Sequence, residues 1–446
     1  MGIISASLCF LLIAYYSLRN SNRVKSQDEY LLAGRHTKLL PLVATLVMTE
    51  FNTGTLISFS SLGYLAGYWA LAMPFIFLIG LLFYTLTVAK KWKQFNGVSV
   101  AHFFATRYGR KLELLVAIVL FLAMLGFSAA YIKSLTLLMQ PLIPINSLIL
   151  SAALVIVILL LTLRGGLSSI IALDVLSFIF VILFFPLLVY FSYHLPQSNQ
   201  VPAFNLAQMQ ALLPPKFIIS LTILTMFSYI IAPWYGQKIV AAKTQQTAYF
   251  AAAIAAIIIF LLYGLGILAT AILRSKGVQL ADIQLGLPYL IRNALPHALQ
   301  SVAYLVLFFI AASTLAGVWN AMVTLVVGSI FKSNSSKVST NILWVLICAL
   351  IAYIIANTLI DNILSKMILF NIPIVAFCFA LLAGFYWSKA NSQGAYVSIL
   401  VGITWGIFCY FYFGETGNYT WYWAIYGIPL IFISGISASL FCAKKS

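Results

Sequence analysis

Charged residues are scarce in this sequence, and acidic residues are the scarcest. The 446 residues include 8 Asp and Glu and 25 Lys and Arg, so that 7% of the chain is charged while 63% is hydrophobic. No long polar stretch interrupts this composition, which excludes a soluble globule and indicates a polytopic membrane protein. The net charge of +17 does not indicate a nucleic-acid partner, because the basic residues are scattered through short loops.

Cysteine and histidine are also few. The five cysteines lie in apolar runs without close pairing, which excludes a disulfide framework and a zinc site. The four histidines are far apart, and three lie in or beside predicted loops, where solvated side chains are expected. The in-span acids that we identify are Glu50 and Asp174, with no nucleophile or metal-binding histidine beside them. We therefore expect that the protein is not an enzyme.

Thirteen apolar runs are long enough, or nearly so, to cross the hydrocarbon of a membrane, which is about 30 Å thick. They cover residues 3–18, 38–63, 70–91, 112–138, 147–163, 169–193, 217–236, 247–272, 299–330, 339–358, 363–386, 394–413 and 421–442. No basic residue precedes the first run, whereas Arg19, Arg23 and Lys25 follow it. This order predicts a retained span with its N-terminus outside the cell.

The loop charges support that orientation. Nineteen lysines and arginines, Lys238 among them, fall in loops assigned to the cytoplasm, against four in loops on the other side. This asymmetry predicts a multi-pass protein of the cell inner (plasma) membrane with its C-terminus in the cytoplasm. No segment between the spans is large enough for a soluble domain, so the function is expected to lie within the bilayer.

A polar octet, Met48 to Thr55, interrupts the second apolar run. A carboxylate, an amide and threonines at membrane depth are costly unless they face protein, water or a ligand, so the octet indicates a functional site. Its glycine and β-branched residues weaken a helix, which predicts a break that frees backbone groups. The alternative is that the Thr and Asn side chains only bond back to their own helix or to a neighbouring helix.

A second interruption, Tyr229 to Gly236 with Pro233, lies in the seventh run. Runs two to six and runs seven to eleven each contain five spans, and an odd number per half gives the halves opposite orientation. Each half therefore begins with an interrupted span. Paired interruptions at corresponding positions of two inverted halves predict a transporter site near the midplane of the membrane.

Five stretches resemble the sodium:solute symporter family, in the order and spacing of that family. They are DEYLLAGR from Asp28, GYLAG from Gly63, GGLS from Gly165 followed by Asp174-Val175-Leu176, QKIVAAK from Gln237 and WSKANSQGA from Trp387. The resemblance implies an all-α membrane protein with the leucine-transporter fold, built from two inverted five-helix repeats. We expect one transporter domain, residues 1–446, with an extra helix at 3–18, repeats at 38–193 and 217–387, and two C-terminal helices at 394–442.

The resemblance also implies a sodium site between the break in the first core helix and the eighth core helix. Hard cations prefer oxygen ligands, which unwound backbone and hydroxyl groups supply. The implied ligands are the carbonyls of Met48, Phe51 and Ile310 and the hydroxyls of Ser313 and Thr314. Taken as an isolated pair, the two hydroxyls more often bond back to the carbonyl one turn earlier.

Further polar residues in the spans receive open interpretations. Asp174 matches an acid of the fifth core helix in the family, and it either conducts the ion toward the cytoplasm or partners a cytoplasmic Arg or Lys. Glu50 neutralises sodium, pairs with a cationic group of the solute, or titrates in a proton-coupled cycle. Asn320 extends a polar path inward or cross-links helices.

The fold analogy places the solute outward of the sodium ion. Asn52, Thr53 and Thr55 are predicted to hydrogen-bond it, and Trp234 and Tyr235 to cover or gate it. Two features of the sugar carriers in the family are lacking: the seventh core helix, Tyr249 to Ile272, has no lysine, and Gly54 occupies a site that is polar in those carriers. An amino acid such as proline, or a small carboxylate, is therefore favoured over a sugar.

The leading interpretation is a sodium-coupled secondary active symporter that imports a small organic solute by alternating access. We expect a monomer to be the functional unit in the lipid bilayer. The alternatives are an uncoupled or proton-coupled facilitator, a channel, or a nutrient transceptor of the same fold. No repeated filter typical of channels is recognisable in the sequence.

Overall fold

The computed structural model describes residues 26–95, 97–163, 165–197, 205–331, 338–415 and 418–442. The predicted first span, 3–18, lies outside the described residues. The same holds for a group of basic residues used in the orientation argument: Arg19, Arg23, Lys25, Arg164, Lys332, Lys337, Lys444 and Lys445. The described chain consists of helices and connecting loops without a strand, which satisfies backbone groups within each segment as hydrocarbon requires.

The helices of the first half run from the motif DEYLLAGR to residue 193. They are α1 (Gln27–Leu32), α2 (Leu39–Glu50), α3 (Thr53–Ala66), α4 (Phe75–Phe95), α5 (His102–Tyr108), α6 (Arg110–Met139), α7 (Ser147–Thr162) and α8 (Gly166–Tyr193).

The remaining helices begin beyond residue 205. They are α9 (Leu206–Leu212), α10 (Pro215–Tyr229), α11 (Pro233–Val240), α12 (Gln245–Ser275), α13 (Gly286–Asn293), α14 (His297–Ile330), α15 (Val338–Thr358), α16 (Ile363–Val375), α17 (Cys378–Tyr386), α18 (Ser392–Phe413) and α19 (Tyr419–Phe441).

Eight of the described helices are long and apolar enough to cross a membrane, and up to eleven spans result if each bent helix pair counts as one. The outer surface has the composition that lipid contact requires, since large apolar side chains such as Leu160 (71% exposed) and Phe411 (80% exposed) point away from the bundle. The predicted all-α, multi-span fold is confirmed, while the count of thirteen spans stays a prediction.

The first predicted interruption is a helix break. Helix α2 ends at Glu50, α3 begins at Thr53, and the two segments are bent by 61°. Asn52 has an extended backbone and caps α3 through its side chain, which is the role that short amide side chains fill at helix starts.

The second interruption is also a break. Helix α10 ends at Tyr229, and α11 begins with Pro233 at its first position, where the missing N–H of proline costs nothing. Both broken segments predicted from the sequence are therefore present.

The broken first core helix, α2 with α3, lies in the middle of the bundle. Helix α12 packs along both halves of it, and α8 and α14 pack against α2. Helix α11 contacts both α2 and α14. The two breaks therefore approach each other at the centre, where side chains from all these helices can meet.

Three of the family-like motifs meet at one end of the bundle. Gly166 adopts a left-handed backbone with φ +52°, and a Cβ there would lie 2.3 Å from the carbonyl oxygen of Tyr30. The Gln237 side chain donates to the Leu31 carbonyl at 2.7 Å. Only glycine fits at Gly166 without displacing backbone, so this junction fixes α1 against the starts of α8 and α11.

Candidate ion and solute site

The break in the first core helix frees two backbone carbonyls. In a continuous helix the Met48 carbonyl would accept from the Asn52 amide, and the Phe51 carbonyl from the Thr55 amide. The Asn52 amide instead donates to the Glu50 carbonyl at 2.9 Å, and the Thr55 amide donates to the Asn52 side chain at 2.8 Å. The carbonyls of Met48 and Phe51 thus lose their helical donors, as the octet predicts.

One of these carbonyls faces the eighth core helix, α14. The Thr314 hydroxyl lies 3.0 Å from the Met48 carbonyl oxygen and 2.9 Å from that of Ile310. The Ser313 hydroxyl donates to the Ile310 carbonyl at 3.1 Å. Four of the five predicted ion ligands therefore meet, and the expected back-bonding of both hydroxyls occurs in the same arrangement.

The fifth predicted ligand, Phe51, is the C-cap residue directly after α2. Its ring packs against those of Phe185 and Tyr263, each with a centroid separation of 4.9 Å. These ring contacts anchor the break to α8 and α12, since aromatic pairs at this spacing are attractive beyond the area they bury.

Asp174 lies in a buried ion pair. Its carboxylate is 2.9 Å from the Lys238 ammonium, with the side chains 0% and 1% exposed. The Thr45 hydroxyl donates to the same carboxylate oxygen, and the Lys238 ammonium donates to the Thr45 carbonyl at 3.1 Å. The pair thereby joins α8, α11 and α2 on the N-terminal side of the break.

The neighbourhood of this pair reaches the predicted ion ligands. The Ser313 side chain lies beside the Asp174 carboxylate, and a Cβ on Gly317, one turn further along α14, would lie 3.7 Å from the Lys238 ammonium. The second carboxylate oxygen of Asp174 and the hydroxyl of Ser177 have no hydrogen-bond partner among the described residues. Unpartnered buried oxygens next to the predicted hydroxyl ligands are donors of the kind that hard cations bind.

Glu50 ends α2 with its carboxylate directed at the second break, between α10 and α11. The side chain is 2% exposed and accepts hydrogen bonds from the Tyr229 hydroxyl and, at 2.9 Å, from the Trp234 indole. The Tyr263 hydroxyl donates to the Glu50 carbonyl at 2.5 Å. Both breaks are therefore joined through one carboxylate, in a wall made of aromatic side chains.

The predicted solute residues occupy different surroundings. The Asn52 side chain is engaged within its own turn, because its amide also donates to the Glu50 carbonyl at 2.9 Å. The Thr53 hydroxyl pairs with that of Ser134 on α6 at 2.8 Å. Thr55 is buried at 6% exposure. These three side chains remain predicted solute contacts.

The aromatic pair of the second break divides in the same way. Trp234 reaches Glu50 and packs on Phe127, with ring centroids 5.3 Å apart. Tyr235 is fully buried and packs on Tyr84, with centroids 5.0 Å apart, and its hydroxyl has no partner among the described residues. The structure thus brings Trp234 to the break and directs Tyr235 toward α4.

A sequence model of the sodium:solute symporter family matches residues 30–402. The chain belongs to this family. No curated protein shows significant similarity to the sequence. Membership agrees with the convergence of both helix breaks at one site, which is the arrangement that such transporters share.

Solved transporters share the architecture of this family member. A Na+-coupled sialic acid symporter, in a substrate-bound outward-open state, superposes with a TM-score of 0.82 at 14% identity over 99% of this chain and 97% of that chain. MhsT in complex with L-phenylalanine gives 0.59 at 14% identity over 90% and 99%. A manganese transporter of Eremococcus coleocola gives 0.54 at 15% identity over 94% and 96%. These likenesses establish the leucine-transporter-like fold.

Several buried charged or polar residues of this family member are missed by the sequence reasoning. Lys238 is predicted to lie in a cytoplasmic loop, and this is wrong, because it is buried within α11. Glu113 is a third buried acid at the start of a span, paired with Arg110 at 2.5 Å. An in-span acid such as Asp174 needs a cation, so it was itself a signal to search for a buried lysine.

Tyr229 and Tyr263 are missed for different reasons. Tyr229 belongs to the interrupted segment that the sequence identifies, so its place beside Glu50 could have been anticipated. Tyr263 lies in the middle of a regular helix, and nothing in its local sequence distinguishes it from other tyrosines. Asn320 is buried at 2% exposure, and its amide has no partner among the described residues, so the helix cross-link predicted as one alternative is not formed there.

Proposed function

We propose that the chain is a sodium-coupled secondary active symporter that imports a small organic solute by alternating access. The observation that carries this proposal is the contact between Thr314 and the Met48 carbonyl, because it joins the broken helix to the helix that supplies hydroxyl ligands. An ion bound there would bridge α2 and α14 and stabilise one arrangement of the two. Coupling requires such a link between ion binding and helix positions.

The donor set fits sodium. Carbonyl oxygens of Met48, Phe51 and Ile310 and hydroxyls of Ser313 and Thr314 are neutral oxygen donors, which hard cations accept. Among the described residues, no cluster of three or more His, Cys, Asp or Glu side chains is placed to hold a metal ion. The site is therefore suited to a weakly held alkali cation that must also leave.

Asp174 supports an exit path for that ion. One carboxylate oxygen holds Lys238 and Thr45, and the other has no partner among the described residues. A sodium ion that leaves the hydroxyl ligands would meet this oxygen next, because the Ser313 side chain lies beside the Asp174 carboxylate. We propose that Asp174 both conducts the ion and anchors Lys238, so the two interpretations of this acid are compatible.

The orientation and the repeats complete the proposal. Basic side chains cap carbonyls at the end of the bundle that we propose to be cytoplasmic: Lys93 donates to Val240 at 2.9 Å, and Arg107 donates to Trp387 at 3.0 Å. We place the N-terminus outside a plasma membrane and assign the inverted repeats to residues 38–193 and 217–387. Basic residues on one side are what the positive-inside rule requires.

Uptake into liposomes tests the coupling. Purified protein is reconstituted, an inward sodium gradient is imposed, and accumulation of proline, other amino acids, pantothenate, short carboxylates and sugars is measured. We expect accumulation of one solute class that collapses when potassium replaces sodium. A pH-gradient arm covers a proton-coupled facilitator, which the buried Glu50 carboxylate favours as the second candidate. Equal uptake without any sodium gradient would refute sodium coupling.

The ion ligands have a matched test. Ser313→Ala combined with Thr314→Ala should raise the sodium concentration for half-maximal uptake by about tenfold or more, because two of five oxygen ligands are lost. Thr404→Ala is the control, since this threonine also bonds back to its own helix, at 2.8 Å, but lies on the peripheral helix α18. Unaltered sodium activation in the double variant would show that the ion binds elsewhere.

A further inference from the structure

Glu50 is a buried carboxylate with no cation in contact among the described residues; the charge of Lys238 acts on it only from a distance, because that ammonium contacts Asp174. Its two side-chain oxygens accept from Tyr229 and Trp234, which are neutral donors. No lysine, arginine or histidine of the described chain lies within 4.0 Å of it, since each ion pair found there involves another acid. An ionised carboxylate at this depth is costly unless a positive charge joins it.

The direction of Glu50 separates it from the proposed sodium ligands. Met48 turns its carbonyl toward Thr314 on α14. The Glu50 carboxylate lies against α10 and α11 instead, where Tyr229 ends α10 and Trp234 lies in the first turn of α11. The charge of Glu50 therefore lies between the two breaks, where the solute is proposed to bind.

The surroundings of this carboxylate are aromatic. Trp234 is 7% exposed and packs on Phe127, and Tyr229 is 9% exposed and packs on Phe77 with centroids 6.0 Å apart. Aromatic faces attract ammonium groups, including quaternary ones, through their ring electrons. A carboxylate set among aromatic rings is thus a receptor for an organic cation, whereas it would repel a solute whose only charge is negative.

We propose that the transported solute carries an ammonium group, as an amino acid or a betaine does, and that Glu50 holds this group with the rings of Trp234 and Tyr229. The proposal rests on the proposed function and narrows it, because a simple carboxylate or a sugar has no group to balance Glu50. It also makes Glu50 the residue that determines solute charge.

Matched pairs of compounds test this directly. Glycine betaine is compared with tert-butylacetate, and proline with cyclopentanecarboxylate, so that each pair differs mainly in the positive nitrogen. The panel also contains primary amino acids, choline, short carboxylates, polyols and sugars. Binding to the purified full chain is measured by tryptophan fluorescence and by thermal stabilisation, in sodium and in potassium.

We expect at least one ammonium compound to bind. Its analogue, in which carbon replaces the positive nitrogen, should bind at least about tenfold more weakly. Glu50→Gln should remove that preference. The comparison within each pair uses the unmodified chain, so it stands even if the variant does not fold. Equal binding of both members of a pair, binding by neutral or anionic compounds only, or no binding by any ammonium compound would overturn the proposal.

The outcomes separate this proposal from the symporter proposal. An ammonium compound that binds equally in sodium and potassium would refute sodium coupling and leave the role of Glu50 intact. Sodium-driven uptake of a solute without a positive charge, unchanged in Glu50→Gln, would refute the role of Glu50 and leave sodium coupling intact. If a proton rather than a solute cation neutralises Glu50, Glu50→Gln should bind neutral solutes as tightly as the unmodified protein does.

Discussion

Neutralising Lys238 and Asp174, singly and together, tests the buried ion pair. The ammonium and carboxylate are 2.9 Å apart and almost fully buried, so their attraction is about 6 kcal/mol at an effective dielectric constant of about 20. Desolvation costs several kcal/mol for each ion, which leaves the net contribution of the pair small. Removing one partner strands the other charge and should cost about 3–5 kcal/mol.

These energies convert into a measurable shift. An unfolding entropy of about 2.1 cal/mol/K per residue gives about 0.9 kcal/mol/K for a chain of 446 residues. Lys238→Met and Asp174→Asn should therefore each lower the melting temperature by about 3–5 °C. The double variant should return to within about 2 °C of the unmodified protein, because no charge is then left unpaired.

The assay follows tryptophan fluorescence in detergent at one fixed heating rate, because unfolding of such proteins is often irreversible. Lys243→Met is the control, since it removes an exposed lysine five residues further along the chain. The reasoning is refuted if the double variant loses the sum of both single losses. It is equally refuted if Lys238→Met behaves like Lys243→Met.

Two further predictions concern the same end of the bundle. Lys238→Met leaves Asp174 as a net negative charge near the ion ligands, so the sodium concentration for half-maximal uptake should fall about tenfold. In Asp174→Asn the same concentration should rise. A shift of the same sign in both variants would contradict this prediction. Gly166→Ala should destabilise the protein by about 1–3 kcal/mol more than Gly414→Ala, because both glycines have positive φ but only Gly166 faces backbone at 2.3 Å; equal melting temperatures would show that the contact with Tyr30 is not tight.

The helix breaks could be predicted because their causes are local in sequence. A carboxylate, glycine and threonines within eight residues of Met48, and Pro233 within the second segment, weaken a helix wherever it is placed. The hydroxyl pair Ser313 and Thr314 could also be identified from adjacent residues in the sequence. Its placement beside Met48, where Thr314 makes the contact, is predicted from the family resemblance.

The partners of the buried acids could not be predicted in this way. Lys238 is 64 residues from Asp174 in the sequence. It is buried because α11 continues from Pro233 to Val240, whereas the predicted span ends at residue 236, before this lysine. Tyr263 meets Glu50 only because α12 packs along the break. Such contacts are products of packing between distant segments, and a single sequence does not display them.

The difference between the two central acids then becomes informative. Thr45, which bonds to Asp174, and Glu50 are five residues apart on α2, or about 7.5 Å along the helix. Asp174 has a fixed ammonium, whereas Glu50 has none among the described residues. Basic residues greatly outnumber acidic ones in the chain, with 25 Lys and Arg against 8 Asp and Glu. A buried acid without a contacting cation among the described residues, amid such an excess, supports the proposal that a positive charge arrives with the ligand and leaves with it.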